Sequence, residues 1–203
     1  PMNFQEEWRK LLLPLRYGGS GVDFKKLDPA RSPFLQDRDR IIYSSSFRRL
    51  ARKTQVHPLV RNDHIHTRLS HSLEVSSVGR SLGAMAGYFL RRRGELPDYA
   101  APEFPGQILE AACLVVWLLL VPASIPFGHA GEFAIRDWFG DPANHIYVNA
   151  LEETQQSDFR CFDGNAQGFR VVNVVENNRD QGGFRLTYPT LASMVKYPWD
   201  SWQ

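Results

Sequence analysis

Apolar positions recur along this chain at steps of three and four almost throughout, the period of an α-helix rather than the two-residue alternation of a strand. An all-α protein, a helical bundle, follows from that pattern. Ser32 before Pro33 has the form of an N-cap followed by proline at the first helical position, and it opens a predicted helix over 34–52. A loop over 54–63, holding Pro58, breaks it. The longest predicted helix covers 67–93, where Val75, Val78, Leu82, Met85 and Phe89 form one apolar line expected to face the core, and Gly94 ends it. Residues 97–105, with proline at both ends, read as a linker, and an apolar helix begins near Gly106. A short helix is predicted over 128–139, closed by Gly140 at a C-cap. Two more cover about 164–176 and 187–196, separated by the glycine-rich turn 180–183. No internal repeat or low-complexity tract divides the chain, so one domain is expected.

Composition narrows the partners little. With 203 residues, 43% of them apolar and 23% charged, the chain is large enough for one good core. Lys and Arg number 24 against 22 Asp and Glu, so no global field steers it toward nucleic acid. Cys113 and Cys161 have neither C-x-x-C spacing nor metal-site neighbours and read as buried free thiols of a reducing, cytoplasmic environment. The apolar stretch 114–121 is far shorter than the roughly 20 residues of a membrane span and reads as a buried segment. The residues after Met2 are polar and acidic, unlike a signal peptide, and Pro1 ahead of Met2 reads as a fragment boundary.

Three groups of residues are candidates for chemistry. Extending the apolar line backwards by the same steps reaches His71 and then Arg68. A histidine on such a line is commonly a satisfied core residue, but an arginine one turn away is costly to bury without an anion, and its planar fork suits carboxylate or phosphate. The pair therefore suggests a phosphate-facing pocket. His129 and Glu132, three apart at a helix start preceded by Gly128, lie where free backbone N–H groups and the positive end of the dipole favour an anion. They are suited to acid–base work on a phosphate ester, or else form a capping or structural ion pair. The basic run from Asp37-Arg38-Asp39-Arg40 through Arg48-Arg49 to Arg52-Lys53 reads either as a solvated, ion-paired face or as a contact for nucleic acid.

Several of these segments, in the same order, resemble the HD-domain deoxynucleoside triphosphate triphosphohydrolase (dGTPase-like) family along almost the whole chain. Gln36-Asp37-Arg38-Asp39-Arg40-Ile41-Ile42, Ser46-Phe47-Arg48-Arg49-Leu50 and Lys53-Thr54-Gln55-Val56 look like its entry segment. Thr67 to Val75 resembles its first metal-histidine helix, and Phe127-Gly128-His129-Ala130-Gly131-Glu132 its active-site turn. Phe162-Asp163-Gly164-Asn165-Ala166-Gln167 and Lys196-Tyr197-Pro198-Trp199 match as well. The resemblance implies an HD-type helical domain with an entry segment over 1–30 and a helical core over 34–203. It implies hydrolysis of a deoxynucleoside triphosphate, dGTP by preference, at the α-phosphorus, with release of deoxynucleoside and intact triphosphate. It casts His129 and Glu132 as catalytic, His71 as a ligand of a divalent metal (Mg or Mn), and Gln55, Val56, Arg68, Asn165, Lys196 and Tyr197 as substrate contacts. Homo-oligomers and, in some relatives, single-stranded DNA binding belong to the same picture.

The chain departs from the family pattern between its two best motifs. Where the family carries a His-Asp metal dyad, residues 115–126 read Val-Val-Trp-Leu-Leu-Leu-Val-Pro-Ala-Ser-Ile-Pro, with no side chain but that of Ser124 able to offer a hard cation even a weak ligand. The family's last metal Asp is expected beyond Gln203, leaving the bundle incomplete at its C-terminus. One imidazole does not hold a hydrolytic metal. The expectation is a triphosphohydrolase by lineage that is inactive or nearly so as written, against two alternatives: a non-catalytic nucleotide-binding or regulatory remnant, and a single-stranded DNA binder.

Overall fold

The computed structural model describes residues 3–19, 21, 28, 30–53, 67–119 (backbone alone for 117–119), 129–176 and 183–195. The predicted loop 54–63, most of the turn 180–183, and candidates Gln55, Val56, Lys196 and Tyr197 lie outside the described residues. The all-α expectation holds: the described regular structure is helical, apart from isolated bridge residues, among them Arg16 paired antiparallel with Thr187. Helices α1 (Phe4–Leu11), α2 (Pro33–Ile42), α3 (Ser45–Arg49), α4 (Arg68–Arg92) and α5 (Phe104–Leu119) precede α6 (His129–Gly140), α7 (His145–Val148), α8 (Glu153–Arg160), α9 (Gly164–Arg170) and α10 (Tyr188–Ala192).

Caps explain where the predicted boundaries moved. The helix predicted over 34–52 is three pieces, because Ser44 stops accepting the helical path and instead caps α3, its hydroxyl taking the Phe47 N–H at 3.1 Å. Leu50–Arg52 then form a 3-10 turn. Gly94 takes φ +69° just past α4, the left-handed conformation anticipated for a helix end. Gly140 does not close α6 in that way; it is the last residue of α6, and Asp141 caps the following turn through Ala143 N–H at 2.8 Å. The helix predicted over 164–176 is α9 followed by a π-helical stretch, Val171–Val175, and α10 is shorter than the predicted 187–196. Helices α1, α7 and α8 were not anticipated.

Helix α5 is the central element: α2, α4, α9 and α10 all pack on it. Leu114 and Val115 on α5 are fully buried with Ile41, Leu50, Val172, Leu186 and Leu191, as the apolar segment led one to expect. A second cluster gathers Leu12, Phe34, Leu90, Leu96 and Ile108 at the other end of α4 and α5. Each fully buried side chain of this size contributes about 1.5–3 kcal/mol of transfer free energy.

The largest correction concerns α4. Its apolar line does not face the core: Val78, Leu82, Met85 and Phe89 are 58–69% exposed. The buried face is Ser72, Ser76, Gly83, Gly87 and Leu90. A Cβ on Gly83 would sit 2.6 Å from Gly106 Cα, so the two helix backbones meet where neither residue carries a side chain. Close approach of α4 to α5 through small residues outweighs hydrophobic periodicity here. Cys113, half-buried against Gly79 of α4, has its thiol pKa pushed up by burial, whereas Cys161 is exposed rather than buried as expected.

The Asp37-Arg38-Asp39-Arg40 run is not simply a solvated face either. Asp37 is fully buried: one oxygen meets the Arg16 guanidinium at 2.5 Å, and the other accepts from Thr187 N–H (3.0 Å), Thr187 Oγ1 (2.6 Å) and Thr190 Oγ1 (2.9 Å). Tyr17 N–H to Leu186 O (3.1 Å) and Tyr188 N–H to Leu15 O (2.8 Å) complete this knot of the entry segment, α2 and α10. Arg38 reaches the buried Glu110 of α5 at 2.7 Å, with Arg80 of α4 at 3.5 Å from the same carboxylate.

Candidate active site

The first turn of α6 places His129 and Glu132 on one face, as their spacing requires, with His129 Nδ1 3.0 Å from Glu132 Oε2. Glu132 is buried and its other oxygen accepts the buried Gly164 N–H at 3.1 Å. One turn further along α6, Arg136 Nε donates to Phe162 O at 2.6 Å. Residues 162–164 are therefore clasped to α6 at two points. Asp163 then caps α9, its carboxylate accepting from Asn165 N–H (2.8 Å) and Ala166 N–H (3.0 Å). The structure thus brings His129, Glu132 and the half-buried Asn165 into one neighbourhood.

This geometry assigns different parts to the two polar residues. Both Glu132 oxygens are engaged and its side chain is only 11% exposed, while the His129 side chain is 84% exposed. A carboxylate beside Nδ1 favours the tautomer with the proton on that nitrogen, which turns the Nε2 lone pair outward, an arrangement able to serve as a general base oriented by a carboxylate. Gly164 and Arg136, which fix the carboxylate and its loop, were missed by sequence reasoning. The Glu132–Gly164 bond spans 32 residues, and nothing local announces it.

Arg68 and His71 occupy the first turn of α4. Thr67 caps that turn in a reciprocal box with Ser70, each side chain 3.1 Å from the other's backbone N–H, and Arg68 N–H donates to Lys53 O at 2.8 Å. Both side chains are half-buried, His71 with 31% of its side chain exposed and Nδ1 3.8 Å from Glu74 Oε2. The apolar line of α4 passes from half-buried at Arg68, His71 and Val75 to open at Val78. Both constellations are tied to α5, one through α4 and the other through α9.

Among the described residues no group of three or more His, Cys, Asp or Glu side chains is arranged to hold a metal ion. His71 with Glu74 does not fit the three or more protein ligands a hydrolytic divalent site uses. No described helix is long and apolar enough to cross a membrane.

No family model matches the chain. Whole-chain similarity does: a deoxyguanosinetriphosphate triphosphohydrolase-like protein of Pseudomonas aeruginosa is 49% identical over 195 residues, covering 96% of this chain and 42% of that protein. Proteins of the same description from Synechocystis (44% identical over 200 residues, 96% of this chain and 43% of that one) and Listeria monocytogenes (40% over 201 residues, 95% and 42%) are similar as well. The chain spans a little over two-fifths of the length of these curated relatives, and over that span it is similar to deoxyguanosinetriphosphate triphosphohydrolase-like proteins.

Proposed function

We propose that this chain carries the acid–base portion of an HD-type deoxynucleoside triphosphate triphosphohydrolase site, with dGTP the substrate its relatives' names point to. The observation that carries this reading is the clasp in which Glu132 is held by Gly164 N–H and in turn orients the exposed His129 ring. In the proposed reaction a water oxygen bonds to the α-phosphorus as the bond to the 5′-oxygen breaks. His129 Nε2 takes the water's proton or returns one to the leaving deoxynucleoside oxygen, and triphosphate departs. Arg68 meets the phosphates, whose several negative charges suit a guanidinium, and Asn165 lines the pocket beside the clasp. Gln55 and Val56 on the sugar and base side, and Lys196 with Tyr197 on the triphosphate, complete the proposed contacts.

In the family a divalent ion, Mg or Mn, polarises the α-phosphate; His71 is its ligand in this reading. No step is assigned to the ion, because the described donors do not make up a ligand set and residues 115–126 contain no His, Asp or Glu. Turnover by this chain is therefore expected at background. The test is inorganic triphosphate release from dGTP by the purified chain, with and without Mn²⁺. Metal-dependent release above background overturns the damaged-site reading. Calorimetric binding of dGTP that persists without metal and is lost in Arg68→Gln supports the nucleotide-binding alternative.

A cytoplasmic homo-oligomer fits the exposed apolar line of α4, a patch that self-association would cover. Single-stranded DNA retains one supporting observation: Arg48, Arg49, Arg52 and Lys53 are exposed, although Arg38 is bonded to Glu110 and the exposed Arg40 to backbone carbonyls. A flat dependence of binding on salt removes that reading.

A further inference from the structure

Away from the clasp, the knot around Asp37 gathers more positive charge than it neutralises. Arg16 and Arg40 converge on one backbone oxygen, that of Arg185: Arg16 Nη1 lies 2.9 Å from it and Arg40 Nη1 3.4 Å, with Phe184 O a further 2.9 Å from Arg40. Arg31 stands beside them, paired with Asp39 at 2.8 Å. Five guanidiniums, those of Arg16, Arg31, Arg38, Arg40 and Arg185, thus stand around two carboxylates, Asp37 and Asp39, with Arg38 also bonded to Glu110. Both oxygens of Asp37 are taken up by Arg16, Thr187 and Thr190, and Asp39 is occupied by Arg31 and, at 3.7 Å, Arg38.

Arg40 and Arg185 are left over. Among the described residues Arg40 has no carboxylate partner and donates only to the two carbonyls. Arg185 Nε is buried without an acceptor. The Arg185 backbone sits at φ +52°, a conformation a long side chain adopts at a cost, and strain of that kind gathers at ligand clamps. Burial, followed by the neighbouring Arg16 charge, lowers the Arg40 pKa from its ordinary value. Asp37 acts the other way, while Arg185 and Arg31 add to the lowering, so Arg40 stands among more guanidinium than carboxylate charge. The exposed Arg40 side chain, with half-buried Arg185 behind it, gives the pair an open side.

We infer that Arg40 and Arg185, backed by Arg16, form an oxyanion-binding site for a polyphosphate group, separate from the His129–Glu132 clasp. The Arg40 fork, fixed at its carbonyl end, presents its remaining N–H donors to tetrahedral phosphate oxygens, and the Arg185 guanidinium adds its own. More than one charge on the ligand is needed to match the unneutralised pair, so polyphosphate is favoured over a single orthophosphate. Occupancy would link the entry segment, α2 and the chain before α10, and so stabilise the fold by mass action.

Thermal unfolding and calorimetry of the whole chain test this, using sodium tripolyphosphate and orthophosphate against potassium chloride at matched ionic strength. Tripolyphosphate is expected to raise the melting temperature and orthophosphate to do so less. Arg185→Gln is expected to weaken tripolyphosphate binding by about tenfold or more, the loss of a charge-assisted contact. The Arg185 guanidinium makes no hydrogen bond among the described residues, so this variant keeps the fold's own bonds, with circular dichroism as the check. Arg40→Gln is the second variant, and Arg92→Gln, at the exposed end of α4, is expected to bind as the parent does. A response no larger than that to chloride overturns the inference. So does binding that survives Arg185→Gln and Arg40→Gln but is lost in Arg68→Gln, which assigns the anion to the α4 site instead. Metal-dependent triphosphate release from dGTP would overturn the damaged-site reading and leave this inference untouched.

Discussion

Asp37, in the second turn of α2, and Glu132, in the first turn of α6, are both buried carboxylates on helices that the sequence singles out, yet they serve opposite ends. Asp37 is sealed, with an arginine on one oxygen and a backbone N–H and two hydroxyls on the other. Glu132 is fastened on one side only, to Gly164 N–H, and hands its other oxygen to a histidine ring that stands in solvent. The first arrangement holds three segments of chain together; the second presents a reactive nitrogen. A buried carboxylate is a structural tie when all its partners are buried and a device for chemistry when one of them is not.

Removing the seal is expected to have the largest effect. Asp37→Ala leaves the Arg16 guanidinium, 17% exposed, without its carboxylate and two buried threonine hydroxyls without their charged acceptor, and is expected to cost about 3–5 kcal/mol, read as a fall in the denaturant midpoint. A loss under about 1 kcal/mol would break the contrast. Glu132→Ala comes next: it leaves the buried Gly164 N–H unpaired, at a cost of about 1–3 kcal/mol, and hydrogen exchange at Gly164 should speed up with it. The exposed partner behaves differently. His129→Gln is expected to change stability by no more than about 0.5 kcal/mol, because the ring packs against so little, while removing the proposed proton-transfer group.

A third carboxylate extends the comparison. Glu176, after the π-helical stretch, contacts the Ser46 hydroxyl, and burial raises its pKa, with Arg49 pulling the other way. A carboxyl whose folded pKa lies above its unfolded value contributes stability that is fully present below the unfolded pKa and is lost as pH rises through the folded one. Stability should therefore decline slightly as pH climbs from the ordinary carboxylate range through the raised value. Glu176→Gln should flatten that decline; an unchanged slope would remove Glu176 as its source.

The α4 face shows why part of the fold was not legible. Its apolar line at Val78, Leu82, Met85 and Phe89 has the helical period, and sequence reasoning turned it inward. The described structure leaves that line open and buries serine and glycine, because α5 comes close enough at Gly106 that a side chain on Gly83 would collide with backbone. A hydrophobic pattern says which face can be buried, while backbone-to-backbone approach decides which face is. The His129–Glu132 pair was readable as i, i+3 neighbours, but the loop that fastens it was not, because its bond joins residues 32 apart. The basic run misled for a related reason: Arg38 and Arg40 find partners on α5 and before α10, distant in sequence.

What the sequence determined by itself is local: the helical class, the cap at Ser32, the left-handed stop at Gly94, and the one-turn spacing of Arg68 with His71 and of His129 with Glu132. These depend on interactions within one or two turns, which spacing encodes directly. Only the tertiary structure decided that Asp37 is a tie, that Glu132 is held by Gly164, that α4 buries its small residues, and that Arg40 and Arg185 have no carboxylate partner among the described residues. Each of those outcomes depends on which distant segment arrives to supply an acceptor, a donor or a close-packed backbone, and residue order within a helix carries no record of that arrival.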